Sequence, residues 1–160
     1  MSLRARSAVP ELLKALNDPV TLGYEGLKQQ LEYVLWHIAP EKVGKPLIIE
    51  NATPMTADGM TVQAVDVLYE GRRRTLIKPG RSVPCLTQFW DSAPRSPLVL
   101  FRSVTQTNGD HFLGEFEVMG ISPPPSNVNV SVLCIIAEQQ IILSARDNDR
   151  KDFLEIRKVR

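Results

Sequence analysis

Apolar residues recur at helical spacing from Pro10 to about Pro40, and at the shorter period of strands from Gly44 onward. Ser7 and Pro10 suit the opening of a short first helix, with Leu12, Leu13 and Leu16 on one side. Asn17-Asp18-Pro19 breaks it. A second helix follows: Leu27, Leu31, Val34, Leu35 and Ile38 fall at i, i+4, i+7, i+8 and i+11. Lys28, Gln29, Gln30 and Glu32 lie on the other side, and Pro40 ends the run.

Beyond Gly44 the apolar runs are short and punctuated. Leu47-Ile49 comes first, then a turn-rich stretch from Asn51 to Gly59. Val62, Ala64, Val67 and Tyr69 predict a strand ending at Glu70-Gly71, and Thr75-Leu76-Ile77 begins the next, stopped by Pro79-Gly80. Runs at Cys85–Trp90, Leu98–Val104, Phe112–Met119, Val128–Ile136 and Ile141–Ala145 follow, bounded by Pro, Gly, Asn or Asp, with Ala137-Glu138-Gln139-Gln140 between the last two. The charged tail keeps Phe153, Leu154, Ile156 and Val159; its first three apolar residues suit a last edge strand, with a short helix as the competing reading. About six to eight short strands so spaced predict a mainly β chain. The expected fold is an antiparallel β-sandwich preceded by one or two α-helices. The expected division is a helical segment at 1–44 and a β-domain at 45–160.

Composition narrows the function by exclusion. A chain of 160 residues, 43% hydrophobic and 23% charged, has the makeup of an ordinary globular domain. Its 19 basic and 18 acidic residues leave a net charge of +1, so bulk electrostatics selects no partner. Cys85 and Cys134 have no metal-binding or redox spacing; free buried thiols are expected, with one disulfide as the alternative. A reducing compartment, the cytoplasm, is the expected location. No apolar run approaches the ~20 residues of a membrane span, and the first residues, Met1 to Arg6, have no apolar stretch behind them.

Candidate chemistry is sparse. His37 lies on the second helix beside Trp36, and His111 falls in the turn Asn108-Gly109-Asp110-His111; neither context suits catalysis. No nucleophile elbow, phosphate loop or His-Glu zinc motif occurs. No enzyme activity, cofactor or metal is expected. Arg72-Arg73-Arg74, with Lys78 and Arg81 nearby, is the dense basic cluster. It reads either as an anion-binding patch or, preferably, as a solvated hairpin tip whose like charges discourage edge pairing. Only Tyr69 could stack beside it, so nucleic-acid binding is not favoured.

The run Phe112-Leu113-Gly114-Glu115-Phe116-Glu117-Val118-Met119-Gly120-Ile121-Ser122-Pro123-Pro124-Pro125 resembles the Leu-Gly-x-Phe-x-Leu-x-Gly-Ile-x-Pro-Ala-Pro segment of the β-sandwich substrate-binding domain of the seventy-kilodalton heat-shock chaperones, the DnaK type. Val132-Leu133-Cys134-Ile135-Ile136 and Ile141-Ile142-Leu143-Ser144-Ala145-Arg146-Asp147 resemble that family's closing hairpin, although Gln140 stands where the family has a turn glycine. Thr75-Leu76-Ile77 with Val83-Pro84, and more weakly Leu47 to Glu50 with Thr53-Pro54, extend the likeness, which covers about residues 60–150.

The resemblance implies a stress-response chaperone domain that binds extended apolar segments of unfolded client proteins. The peptide lies in a channel between loops at one end of a sandwich. Carried over by position, Trp90 stands at the channel wall and Ala93 in the arch over the peptide. Leu98 and Leu100 fall near the aliphatic pocket pair, a placement that assumes a two-residue gap. Val67 and Tyr69 take the other arch and wall. The plainer alternative for such apolar side chains is core. The family's nucleotide-binding domain and helical lid have no counterpart in these residues; in a parent protein, such a domain or a co-chaperone would be a partner. Pro94 and Pro97 stiffen the second loop, and the first keeps only Gly71 of the family's glycine pair. A scaffold module that kept the sandwich but lost the channel is therefore the second expectation, with the Leu27–Ile38 helix mediating docking or self-association into a homo-oligomer.

Overall fold

The computed structural model describes residues 3–50, 56–89, 98–104, 109–121, 128–137 and 139–160. The N-terminal part is helical: α1 (Leu3–Ser7), α2 (Val9–Leu16), α3 (Pro19–Leu22) and α4 (Glu25–Ile38), closed by a 3-10 turn at Pro40–Lys42. The Asn17-Asp18-Pro19 break is both a stop and a start. The Asp18 carboxylate accepts the Val20 backbone N–H at 2.8 Å, and Pro19 occupies the first turn of α3.

Helix α4 buries its leucine stripe only toward its C-terminal end, where Ile38 also packs against the N-terminal helices. Leu35, Trp36 and Ala39 are buried, whereas Leu27 and Val34 are each 43% exposed. The cause is partial coverage: only the C-terminal half of α4 is enclosed. Leu35 and Ala39 pack with Val9, Leu12, Leu13 and Leu16 of the N-terminal helices. Trp36 is turned to the sheet, where its indole N–H donates to the Ser144 hydroxyl at 2.7 Å.

The remainder is mainly β with antiparallel pairing. One five-stranded sheet runs β1 (Leu47–Glu50), β10 (Gln140–Asp147), β9 (Val130–Ala137), β6 (Cys85–Phe89), with β11 (Asp152–Leu154) also paired to β10. The other runs β12 (Ile156–Lys158), β8 (Gly109–Val118), β7 (Leu98–Val104), β4 (Ala64–Tyr69), β5 (Arg72–Ile77). A small hairpin of β2 (Thr56–Ala57) and β3 (Met60–Thr61) stands apart. Thr61 and Gly59 of this hairpin bond to Gly80, Arg81 and Val83, strapping down the passage from β5 to β6.

One apolar core joins the two sheets. It takes Cys85, Val130, Val132, Cys134, Ile136, Ile141, Leu143 and Ala145 from the first sheet, and Val65, Val67, Ile77, Leu113, Phe116 and Ile156 from the second. The period-2 alternation of strands sends the intervening residues of β9 and β10 to the opposite face. There Leu133, Ile135, Ile142 and Ser144 are buried as well, beneath the helical layer. Coverage on both faces explains the near-continuous apolar runs of these two strands. Cys85 and Cys134 are free, buried thiols. Burial in this core pushes both upward in pKa, Cys134 to about 12.

Three expectations change here. The second strand of the β4–β5 hairpin begins at Arg72 rather than Thr75, because Glu70 and Gly71, with φ of 49° and 73°, form a two-residue turn by themselves. The arginines are therefore strand residues, not a hairpin tip. His111 is an exposed residue of β8, not of a turn. The tail divides into two strands instead of one, β11 on the first sheet and β12 on the second, so it stitches the sheets together.

Candidate peptide-binding site

The register brings one end of several strands together. Leu68 of β4 lies opposite Val99 of β7, and Leu98 lies opposite Phe116 of β8. The Glu70-Gly71 turn, the start of β7 and the Gly120 end of β8 therefore share one end of their sheet. Val67 and Tyr69 point to the core side of β4, and Leu100 occupies the register position opposite Val67. Trp90 and Ala93 lie outside the described residues. Leu98 and Leu100 are placed by backbone register, in rows shared with Phe116 and Val67.

These rows change the expected roles. Phe116 is fully enclosed and Val67 is 1% exposed, so Val67 belongs to the inter-sheet core and offers no open channel wall. Tyr69, one pleat nearer the turn, is only half-buried and packs against the same core. Val67 pairs with Arg74 and Tyr69 with Arg72, so the inner face of the hairpin turns from aliphatic to aromatic to cationic. Val67, Tyr69, Glu70, Arg72, Arg73 and Arg74 line a cleft of about 440 Å³.

Its charges are unevenly committed. Arg73, on the outer face, donates to the buried Asp66 carboxylate at 2.8 Å. Arg72 and Arg74 are exposed and form no ion pair among the described residues. The arginine run therefore separates into one structural and two available guanidinium groups. Composition could not make that distinction, but strand alternation does.

A larger concavity of about 670 Å³ lies beside β11 and the Gly120 end of β8, lined in part by Gly44, Met119, Gly120, Arg150 and Phe153. Its arginine is already engaged. Arg150 donates to Asp147 at 2.8 Å and to the Gly120 carbonyl at 2.9 Å. Asp147 is 1% exposed, and that burial opposes its ionisation. The backbone N–H groups of Arg150 and Asp149 and the Arg150 guanidinium outweigh it, holding the carboxyl below its ordinary range.

The segments carrying the chaperone likeness have identifiable structural work. At Gly114, φ is 151°, and an added Cβ would sit 2.7 Å from the Phe116 ring and 3.3 Å from the Arg160 carbonyl. Here β8 carries a bulge, since Leu100 pairs with Gly114 but Phe101 with Phe112. The Gly-x-Phe pattern thus lets a phenylalanine fold against its own strand. In Ser144-Ala145-Arg146-Asp147, the serine receives Trp36, the alanine fills the core and the aspartate organises the next turn. Arg146 stacks 5.0 Å from the Tyr33 ring centroid and 5.9 Å from that of Phe153. Sequence reasoning passed over Trp36, Arg146 and Tyr33. Their signal was the polar pair Ser144 and Arg146 at one-residue spacing inside an otherwise apolar strand.

His37 lies within 2.9 Å of the Tyr33 carbonyl and 3.4 Å of the Gln88 side chain. Among the described residues, no group of three His, Cys, Asp or Glu side chains is placed to hold a metal, and no helix is long and apolar enough to cross a membrane. In comparisons with known proteins, no family model and no curated protein matches the chain.

Proposed function

We propose that the chain is a chaperone-type peptide-binding domain of the heat-shock kind, a β-sandwich that holds extended apolar segments of client proteins without an ATPase of its own. The observation that carries this reading is the half-buried Tyr69 at the mouth of the β4–β5 cleft, beside a core that continues beneath it. The order of the resembling segments supports it: Leu113-Gly114-x-Phe116 on β8, then a closing hairpin of β9 and β10. In the same reading Val67 forms the floor of the site and Tyr69 meets the ligand; the roles of Trp90, Ala93, Leu98 and Leu100 rest on the resemblance alone. The expected setting is the cytoplasm, with a nucleotide-binding domain or co-chaperone as partner.

The test is fluorescence polarisation with a labelled, neutral, leucine-rich peptide. Saturable binding of about micromolar affinity, some −8 kcal/mol, is expected for the wild type. Tyr69→Ala should weaken it several-fold while leaving the fold intact. Leu98→Asp is the poorer probe, because its register partner Phe116 is fully enclosed and the change threatens folding. Absence of binding by folded wild-type protein would refute the reading.

A scaffold role is the second reading, favoured by a separate observation. Val20, Leu22, Tyr24 and Leu27 are 66%, 55%, 65% and 43% exposed on α3 and the start of α4. Grouped exposed apolar residues mark interaction surfaces. Self-association would appear as concentration-dependent dimerisation in sedimentation, weakened by Leu27→Asp. A monomer at all concentrations would rule it out.

A further inference from the structure

We infer that the β4–β5 cleft selects acidic peptide segments, in which an apolar side chain is flanked by aspartate or glutamate. The inference rests on the peptide-binding reading and specifies its ligand.

Strand alternation puts Val67, Tyr69, Arg72 and Arg74 on one face of the hairpin. An extended ligand shares the same two-residue period, so a segment laid along this face presents alternate side chains to it. An apolar residue over Tyr69 then has its neighbours on that face within reach of Arg72 or Arg74. Both guanidinium groups are exposed and form no ion pair among the described residues, whereas Arg73 is occupied by Asp66. The acid lining the cleft is Glu70, at the turn. Two available cations against one carboxylate give the cleft a positive balance, which the chain's net charge of +1 conceals. The planar forks of arginine suit carboxylates particularly well. β5 ends its sheet and pairs with no strand other than β4 among the described residues, the position at which an extended partner can add. Another copy of the same strand would bring arginines against arginines, so charge disfavours self-pairing there and favours an acidic segment.

Nucleic acid offers the same negative charge, but among the described residues the cleft is lined by one aromatic ring, Tyr69, beside the aliphatic Val67. That lining fits an apolar peptide side chain better than a row of stacked bases.

The experiment uses the full chain and three labelled peptides, each with a leucine triplet flanked on both sides by paired aspartates, serines or lysines. Fluorescence polarisation should rank them aspartate, serine, lysine, with roughly a tenfold step between the first two, or about 1.4 kcal/mol. Added salt should narrow the spread. The double variant Arg72→Glu/Arg74→Glu should reverse the ranking while the circular dichroism spectrum stays unchanged. Equal affinities for the wild type, or an unchanged ranking in the double variant, would overturn the charge selection and leave peptide binding standing. Failure of all three peptides to bind the folded protein would remove both. An oligothymidylate probe that binds with the same arginine dependence, while replacing the leucines by serines costs the acidic peptide nothing, would make the cleft a general polyanion site and overturn the inference.

Discussion

The β9–β10 and β4–β5 hairpins are built by the same antiparallel pairing, yet they occupy opposite situations. The first is central, with the inter-sheet core on one face and the helical layer on the other. Its side chains are almost all buried. The second lies at a sheet edge, and its outer strand exposes Arg72 through Thr75 before burying Leu76 and Ile77. The same local geometry therefore serves two purposes. Enclosure concentrates stabilising contacts in one hairpin, while the other carries exposed charge and is the hairpin to which the proposed function assigns a ligand. Arginine illustrates the contrast within one residue type. Arg146 is 5% exposed and stacked between aromatic rings, whereas Arg72 and Arg74 face solvent.

Substitutions in the two regions should differ accordingly. Trp36→Ala strikes the covered hairpin hardest, removing its largest helical contact and leaving a cavity above Ser144; a loss of about 3–5 kcal/mol is expected in urea unfolding. A change below about 1 kcal/mol would mean that the helical layer does not stabilise the sheet. Gly114→Ala should cost about 1–3 kcal/mol by the same assay, through an unfavourable positive φ and the approach to Phe116. Restoration of stability by Phe116→Leu in that background would attribute part of the cost to the ring.

Asp147→Asn removes the charge from a carboxylate that accepts three hydrogen bonds from Asp149 and Arg150, with an expected loss of about 1–3 kcal/mol. Its effect depends on pH. Because the folded carboxyl titrates below its ordinary value, the native state binds fewer protons than the unfolded chain. The stabilisation is therefore complete above the ordinary aspartate pKa near 4 and lost as pH falls through the depressed folded value. The wild type and variant should converge in stability toward acid; a constant gap down to about pH 2 would contradict this role.

The smallest stability change belongs to the open hairpin. Arg72→Glu/Arg74→Glu should shift unfolding by only about 0.5 kcal/mol or less, even as it reverses the order of peptide affinities. If it instead unfolds the protein, the contrast between a structural and an available hairpin fails.

Much of the fold was legible in residue order. The 3.6-residue spacing of Leu27 to Ile38 located α4, and the punctuated apolar runs located β4 and the strands from β6 to β10. The ordered motifs around Gly114-x-Phe116 and Ser144–Asp147 marked positions whose geometry is constrained. Periodicity reports which side of an element is apolar, because backbone geometry alone sets that pattern. It does not report which neighbour covers that side. Whether Leu27 or Trp36 is buried depends on where the sheet ends beneath α4. Whether Val67 is a channel wall or core depends on its partners Leu100 and Arg74. The division of Arg72–Arg74 into one engaged and two available cations likewise awaited the pairing of β5 with β4. Those outcomes belong to contacts between residues distant in the chain, which only tertiary structure brings together.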